Sequence, residues 1–208
     1  MKAVMVVNGQ TDPELLRRWS KYPVMAVDGG LQRVHAAGVA PRWILGDFDS
    51  IEPDLLDCYR STAEIISFPV DKDHTDLELA VLYMANKQVS RLLVFGLSGG
   101  LRWDHQLAAW LLLSDLAARG CLVQVFTPGQ VHYISPQARI LQLSAGRYFS
   151  VQTIRGPGRV SVSGARYNGK NISLVPGSGH GLGNAIKDEF VKIDVHQGCV
   201  CISQWMEE

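Results

Sequence analysis

Along roughly the first 127 positions, short uninterrupted apolar runs alternate with stretches of helical period. The runs at residues 3–8, 24–27, 43–45, 64–68, 91–95 and 122–126 read as buried strands. Residues 13–20, 31–37, 53–60, 76–86 and 105–119 between them read as helices. Such alternation implies right-handed crossovers and a mostly parallel sheet. After Pro128-Gly129 the helical period disappears. Short runs follow at residues 131–134, 140–143, 148–153, 160–162, 172–175, 191–195 and 199–204, separated by Gly, Pro, Asn or Ser. That spacing belongs to a β-sandwich or barrel. The expected fold class is an α/β domain with a mostly parallel sheet over residues 1–128, followed by an all-β sandwich domain over residues 129–208.

Acidic groups stand where the strands of the first half end. Asp28-Gly29-Gly30 follows residues 24–27, Gly46-Asp47-Phe48-Asp49-Ser50 follows residues 43–45, and Asp73-His74-Thr75-Asp76 follows residues 65–70. In an open α/β sheet the ligand crevice lies at the carboxyl ends of the strands, so the three groups should converge there. Converging carboxylates repel unless a cation sits between them. Mg²⁺ takes oxygen ligands and commonly holds substrate phosphates as well, so the cluster points to a magnesium-dependent enzyme acting on a nucleotide. Asp47 and Asp49 are two apart, and an extended backbone would aim both carboxylates one way and Phe48 into the core. The plainer reading of that motif is a polar turn, with Asp49 or Ser50 capping a helix near Pro53.

Thr75-x-x-Glu78 matches a capping box, which starts a helix at Asp76. Asp73 and His74 then precede the helix, and Asp76 in its first turn complements the helix dipole or serves a metal–phosphate site. The glycines after Asp28 permit close approach of backbone to a ligand. Residues 96–105 read Gly-Leu-Ser-Gly-Gly-Leu-Arg-Trp-Asp-His. Arg102 there offers a planar fork of donors to phosphate, and Asp104 is a candidate N-cap. No G-x-x-x-x-G-K-[ST] motif occurs, and the glycine run from Pro176 to Asn184 misses the G-x-G-x-x-G spacing. That run is a flexible hairpin or a loop closing on a small ligand.

Composition narrows the classes. The 208 residues carry 20 basic and 20 acidic side chains. Zero net charge argues against a general nucleic-acid or membrane-surface binder. No apolar run is long enough for a transmembrane helix. Cys58, Cys121, Cys199 and Cys201 form no C-x-x-C pair and read as buried reduced thiols, which fits a cytoplasmic location. Cys199 and Cys201 alternate along a strand and share a face. His35, His132 and His196 show no ligand spacing, and Trp103, Trp110 and Trp205 read as packing residues, Trp103 also as a pocket-lining candidate.

Taken in order, Asp28-Gly29-Gly30, Gly46-Asp47-Phe48-Asp49-Ser50, Asp73-x-Thr75-Asp76-Leu77-Glu78 and the Gly99-Gly100…Asp104-His105 junction resemble the thiamine pyrophosphokinase family. The resemblance is densest over residues 24–110. It implies transfer of a pyrophosphoryl group from ATP to thiamine, giving thiamine diphosphate and AMP, with Mg²⁺ as cofactor. It also implies a homodimer, with thiamine bound by the β-rich domain at the interface. By resemblance, Asp28, Asp47, Asp49 and Asp76 form the metal site, and Asp49, Asp76 and Arg102 carry catalysis. Asp28, Gly29, Gly30, Asp73, Thr75, Asp104 and His105 shape the ATP pocket, and Gly181, Gly183 and Asn184 contact thiamine. The chain departs from the family at Gly183, where a serine is usual, and by one extra residue near Leu101. Two other readings share the motifs: a pyrophosphokinase with a pterin-type hydroxymethyl acceptor, and a catalytically silent nucleotide- or thiamine-binding regulator.

Overall fold

The structure is a computed structural model that describes residues 1–49, 51–69, 73–99, 102–136, 139–143 and 148–206. Ser50, Val70, Gly100 and Leu101, on which parts of the reading above fall, lie outside the described residues. The chain divides into two compact units, residues 1–112 with 126–128, and residues 113–125 with 129–208. Residues 113–125, which the sequence pattern assigns to the α/β half, group with the second unit. Both parallel and antiparallel pairings occur, so the sheet structure is mixed.

The first half of the chain runs β1 (Lys2–Val6), α1 (Pro13–Trp19), β2 (Val24–Val27), α2 (Gly30–Ala36), β3 (Trp43–Gly46), α3 (Pro53–Asp57), β4 (Glu64–Ser67), α4 (Asp76–Asn86), β5 (Arg91–Phe95), α5 (Trp103–Ala118) and β6 (Leu122–Thr127). The order β5-β1-β2-β3-β4 is parallel throughout. Strands β2 and β3 are buried at every position, as expected where helices cover both faces of a parallel sheet. Val4, Val6, Leu16, Val24, Ala26, Leu31, Ile44, Leu93 and Phe95 share one core. Local chemistry starts the helices. The Asp12 carboxylate accepts from the Glu14 and Leu15 amides at 2.9 and 3.1 Å, with Pro13 in the first turn. Thr75 and Glu78 form the capping box that the sequence predicts, and α4 begins at Asp76.

The second half adds β7 (Gln130–Ser135), β8 (Arg139–Leu143), β9 (Tyr148–Ser163), β10 (Gly169–Leu174), β11 (Asn184–Ala185) and β12 (Val191–Trp205). The order is β10-β9-β12-β7, antiparallel, with β8 on β12 and β11 on β9. The runs at 148–153 and 160–162 prove to be one 16-residue strand, and those at 191–195 and 199–204 one of 15 residues. Register shifts between Val195 and Val200 interrupt the side-chain alternation, so each strand reads as two short ones in sequence. Both halves of β9 and β12 feed one core, with Phe149, Val151, Val160, Val162, Ile193, Val195, Val200 and Ile202 in it.

Cys121 and Cys199 are buried and Cys201 is partly so, whereas Cys58 is exposed, against the expectation of four buried thiols. Burial pushes the Cys199 thiol up to about 11 and the Cys201 thiol up to about 12, so both stay protonated. Trp103 is 67% exposed rather than packed. His132 is partly buried against the Ser203 hydroxyl at 2.9 Å, and His196 meets the Ser161 hydroxyl at 2.7 Å. Among the described residues no helix is long and apolar enough to cross a membrane.

Candidate active site

Because β1, β2, β3 and β5 run parallel, their carboxyl ends share one edge of the first unit. There a cavity of about 870 Å³ is lined by residues following each of these strands and by the first turns of α4 and α5. Asp28, Asp47, Thr75, Asp76, Arg102, Asp104 and His105 all line it. Gly29, Gly30, Asp49 and Asp73 are not part of the lining. A side chain on Gly30 would collide with the Val6 carbonyl oxygen at 2.1 Å, and one on Gly29 with the Asn8 side-chain Nδ2 at 2.5 Å. These glycines seat α2 against β1.

Asp28, Asp47 and Asp49 each place a carboxylate oxygen within 4.8 Å of the other two. The route to that convergence differs from the extended backbone expected. Asp28 and Phe48 both adopt left-handed backbone, with φ of 46° and 66°. Such angles are uncommon outside glycine, and a bulky residue there is a genuine outlier. The Phe48 ring packs against the core of the first unit, as the pattern predicts, and so anchors the turn. The Asp49 amide then donates to the Asp47 carboxylate at 3.3 Å, folding Asp49 back beside it. Gly46 lets β3 approach β2 closely, since a Cβ there would stand 3.2 Å from the Asp28 Cα. The charge of Asp47, then burial, then the charge of Asp28, raise the Asp49 carboxyl above its ordinary value; Asp76 adds to the effect. Like charges at this spacing favour the protonated form of one of them. The donor set, three carboxylates with mutual repulsion, fits a hard divalent cation. Asp76 stands outside the three-oxygen cluster but within reach of its field.

Arg102 does not reach freely into the cavity. Its Nε and Nη2 donate to the Asp104 carboxylate at 2.9 and 2.5 Å. That pairing holds the Asp104 carboxyl far below the usual carboxylate range. Asp104 lies within the first turn of α5, one residue after its start, rather than at the cap.

In the second unit, Gly183 has φ of 67° with open space where a side chain would begin, and its amide donates to the Ser150 hydroxyl at 3.0 Å. The Gly181 carbonyl accepts from the Val151 amide at 2.8 Å. Asn184 is 9% exposed, and its amide group clamps Tyr167. Its Oδ1 accepts from the Tyr167 amide at 3.0 Å and its Nδ2 donates to the Tyr167 carbonyl at 2.8 Å. Asn184 thus fixes the shape of the loop.

Asn8, Gly9, Gln10, Arg33 and Gly96 also line the cavity. Asn8, Gly9 and Gln10 follow β1 and match no motif, and Arg33 has the pattern of any exposed charge on α2, so of these five only Gly96 stands out in the sequence. The available signal was positional: β1 is central and ends at the same edge as the acidic strands.

A family model described as the catalytic domain of thiamin pyrophosphokinase matches residues 15–125, more than half of the chain. The chain belongs to this family. A thiamine pyrophosphokinase of Bacillus subtilis is 31% identical over 134 residues, 60% of this chain and 59% of that protein. The match therefore spans about three fifths of that relative's length. Thiamine pyrophosphokinase 1 of Arabidopsis thaliana is 25% identical over 204 residues, 82% of this chain and 73% of its own. Among solved structures, a thiamine pyrophosphokinase from Bacillus subtilis superimposes with a TM-score of 0.86 at 20% identity, covering 100% of both chains. The yeast enzyme of that name gives 0.76 at 15% identity, over 99% of this chain and 86% of its own. These two likenesses establish the shared fold.

Proposed function

We propose that this chain transfers a pyrophosphoryl group from ATP to thiamine, giving thiamine diphosphate and AMP. The observation that carries this reading is the Asp28–Asp47–Asp49 cluster at the strand-end cavity of a chain that belongs to the family. Asp28, Asp47 and Asp49 would hold Mg²⁺, which when bound neutralises charge on ATP oxygens. The residues themselves do the positioning that phosphoryl transfer requires. The N-terminus of α4, capped by Thr75, lies at the cavity wall, where Thr75, Asp76, Leu77 and Glu78 line it. Asp76, which lines the cavity, or Asp49 in the cluster takes the proton from the attacking hydroxyl. The new bond forms between that oxygen and the β-phosphorus, and the bond to the α–β bridging oxygen breaks, so AMP leaves with the electron pair.

The second unit is assigned a sandwich that binds thiamine through the loop of Gly181, Gly183 and Asn184 and that forms a cytoplasmic homodimer. Exposed Tyr167, Val175, Leu182 and Phe190 support a further contact surface there. The deciding experiment measures AMP release with thiamine, with a pterin-type hydroxymethyl alcohol and with no acceptor. Thiamine-dependent, saturable release with Mg²⁺ supports the proposal. Release only with the pterin alcohol, or none at all, overturns it.

A further inference from the structure

For a phosphate group in this cavity the sequence nominates Arg102. The structure instead commits Arg102 to Asp104. Arg33, on α2, lines the same cavity as Asp28 and Asp47. Its Nε and Nη2 both donate to the Asn8 carbonyl oxygen, at 3.2 and 3.1 Å. A carbonyl fixes the guanidinium in place without neutralising it. Three of the five N–H donors of a guanidinium remain after two such bonds. Among the described residues, Arg60, Arg102 and Arg155 pair with carboxylates, whereas the bonds of Arg33 go to the Asn8 carbonyl.

We propose that Arg33 binds the phosphate chain of the nucleoside triphosphate in this cavity; the inference rests on the function proposed above. A polyphosphate entering a cavity rimmed by Asp28, Asp47 and Asp76 brings negative charge to negative charge. One divalent cation offsets only part of that total, and a guanidinium on the wall supplies a further positive charge with planar, paired donors. Anchoring on Asn8 means that the side chain is ordered before the ligand arrives, which removes part of the cost of binding.

The test compares wild type, Arg33→Gln and Arg33→Lys in the presence of Mg²⁺. Calorimetric titration with ATP reads affinity, steady-state kinetics read KM for ATP and for the acceptor, and thermal melts read the fold. Arg33→Gln is expected to weaken ATP binding about tenfold or more and to raise KM for ATP in step. KM for the acceptor should stay unchanged, and the melting temperature should fall by no more than a few °C, the cost of the lost bonds to the Asn8 carbonyl. Arg33→Lys should fall between the two, because an ammonium keeps the charge but not the fork. Equal ATP affinity in wild type and Arg33→Gln overturns the assignment to Arg33 and leaves the proposed function standing. A larger drop in melting temperature with both KM values rising together means a structural role and overturns it as well. If the wild type itself binds no ATP, the function proposed above fails and this inference with it.

Discussion

Replacing Asn184 by alanine separates a residue that touches a ligand from one that builds the loop. The substitution removes the bonds to the Tyr167 amide and carbonyl, and the acceptor that faces the Ala185 amide at 2.9 Å. Each such bond contributes about 0.5–1.5 kcal/mol net, and more where the abandoned group is shut away from water. Tyr167 itself is 62% exposed, so water relieves part of the loss. The two bonds to Tyr167 then sum to roughly 2 kcal/mol. For a chain of this length, 1 kcal/mol moves the melting temperature by about 2–4 °C, so Asn184→Ala should melt about 4–8 °C lower. Thermal melts without any ligand measure this directly. Asn184→Asp keeps the acceptors but sets a carboxylate against the Tyr167 carbonyl, and should melt below wild type too. Any rise in KM for thiamine should accompany the fall in stability. A ligand-free Asn184→Ala protein melting within about 1 °C of wild type, with KM alone raised, would refute the clamp and make the side chain a direct contact.

Asp47→Asn and Asp49→Asn should each lower turnover at least tenfold, about 1.4 kcal/mol in the barrier, while circular dichroism stays native. Retention of more than about a tenth of kcat by either would remove that acid from the metal site. Because its neighbours raise the Asp49 carboxyl, the native chain without metal holds more protons than the unfolded chain just above pH 3.8. Its stability should therefore decline as pH rises through that window, and melts of Asp47→Asn in chelator should decline less. Burial lowers the His132 imidazole from 6.5 to about 4. The unfolded chain alone takes up that proton, so stability should be lost as pH falls from 6.5 towards 4, and a His132→Gln variant should show a shallower loss in acid melts. Gly183→Ser places a side chain at φ 67° and should cost about 1 kcal/mol or more, read as a lower melting temperature; an unchanged melt would contradict strain at this position.

The acidic site was legible because two independent regularities coincide. A run buried on both faces marks a parallel strand, and the residue ending it marks the crevice. Asp28 and Asp47 follow such runs directly, and Thr75-x-x-Glu78 declares the start of α4 through its own side chains. What stayed hidden has no local signature. Left-handed backbone at a phenylalanine follows from the packing of its ring, not from its type. Arg102 and Asp104 are two apart in sequence, and nothing in that spacing says that they pair rather than face a ligand. Arg33 looks like any charged residue on the outer face of a helix, until β1 is placed beside it and the Asn8 carbonyl supplies its partner. The joined strands β9 and β12 stayed hidden because their bulges break the two-residue period.

The same few residues also show where folding and function pull apart. Two strained backbone positions and three mutually repelling carboxylates occupy one corner of the first unit. Strain of this sort costs on the order of 1–3 kcal/mol per residue and persists only where the surroundings over-determine it. Here the surroundings do so from behind: the half-buried Phe48 ring against the core and the close approach of Gly46 to Asp28 leave the turn little choice. Neither device separates the acids, and the charges of Asp47 and Asp28 raise the Asp49 carboxyl. A turn serving only the fold would gain by relaxing Phe48 and separating the acids. Rigid presentation of repelling oxygens becomes favourable when a cation completes the set, because binding to the folded chain alone stabilises it by mass action. The arrangement is therefore organised around what the cavity is to hold, and the core beneath it is what keeps it in place.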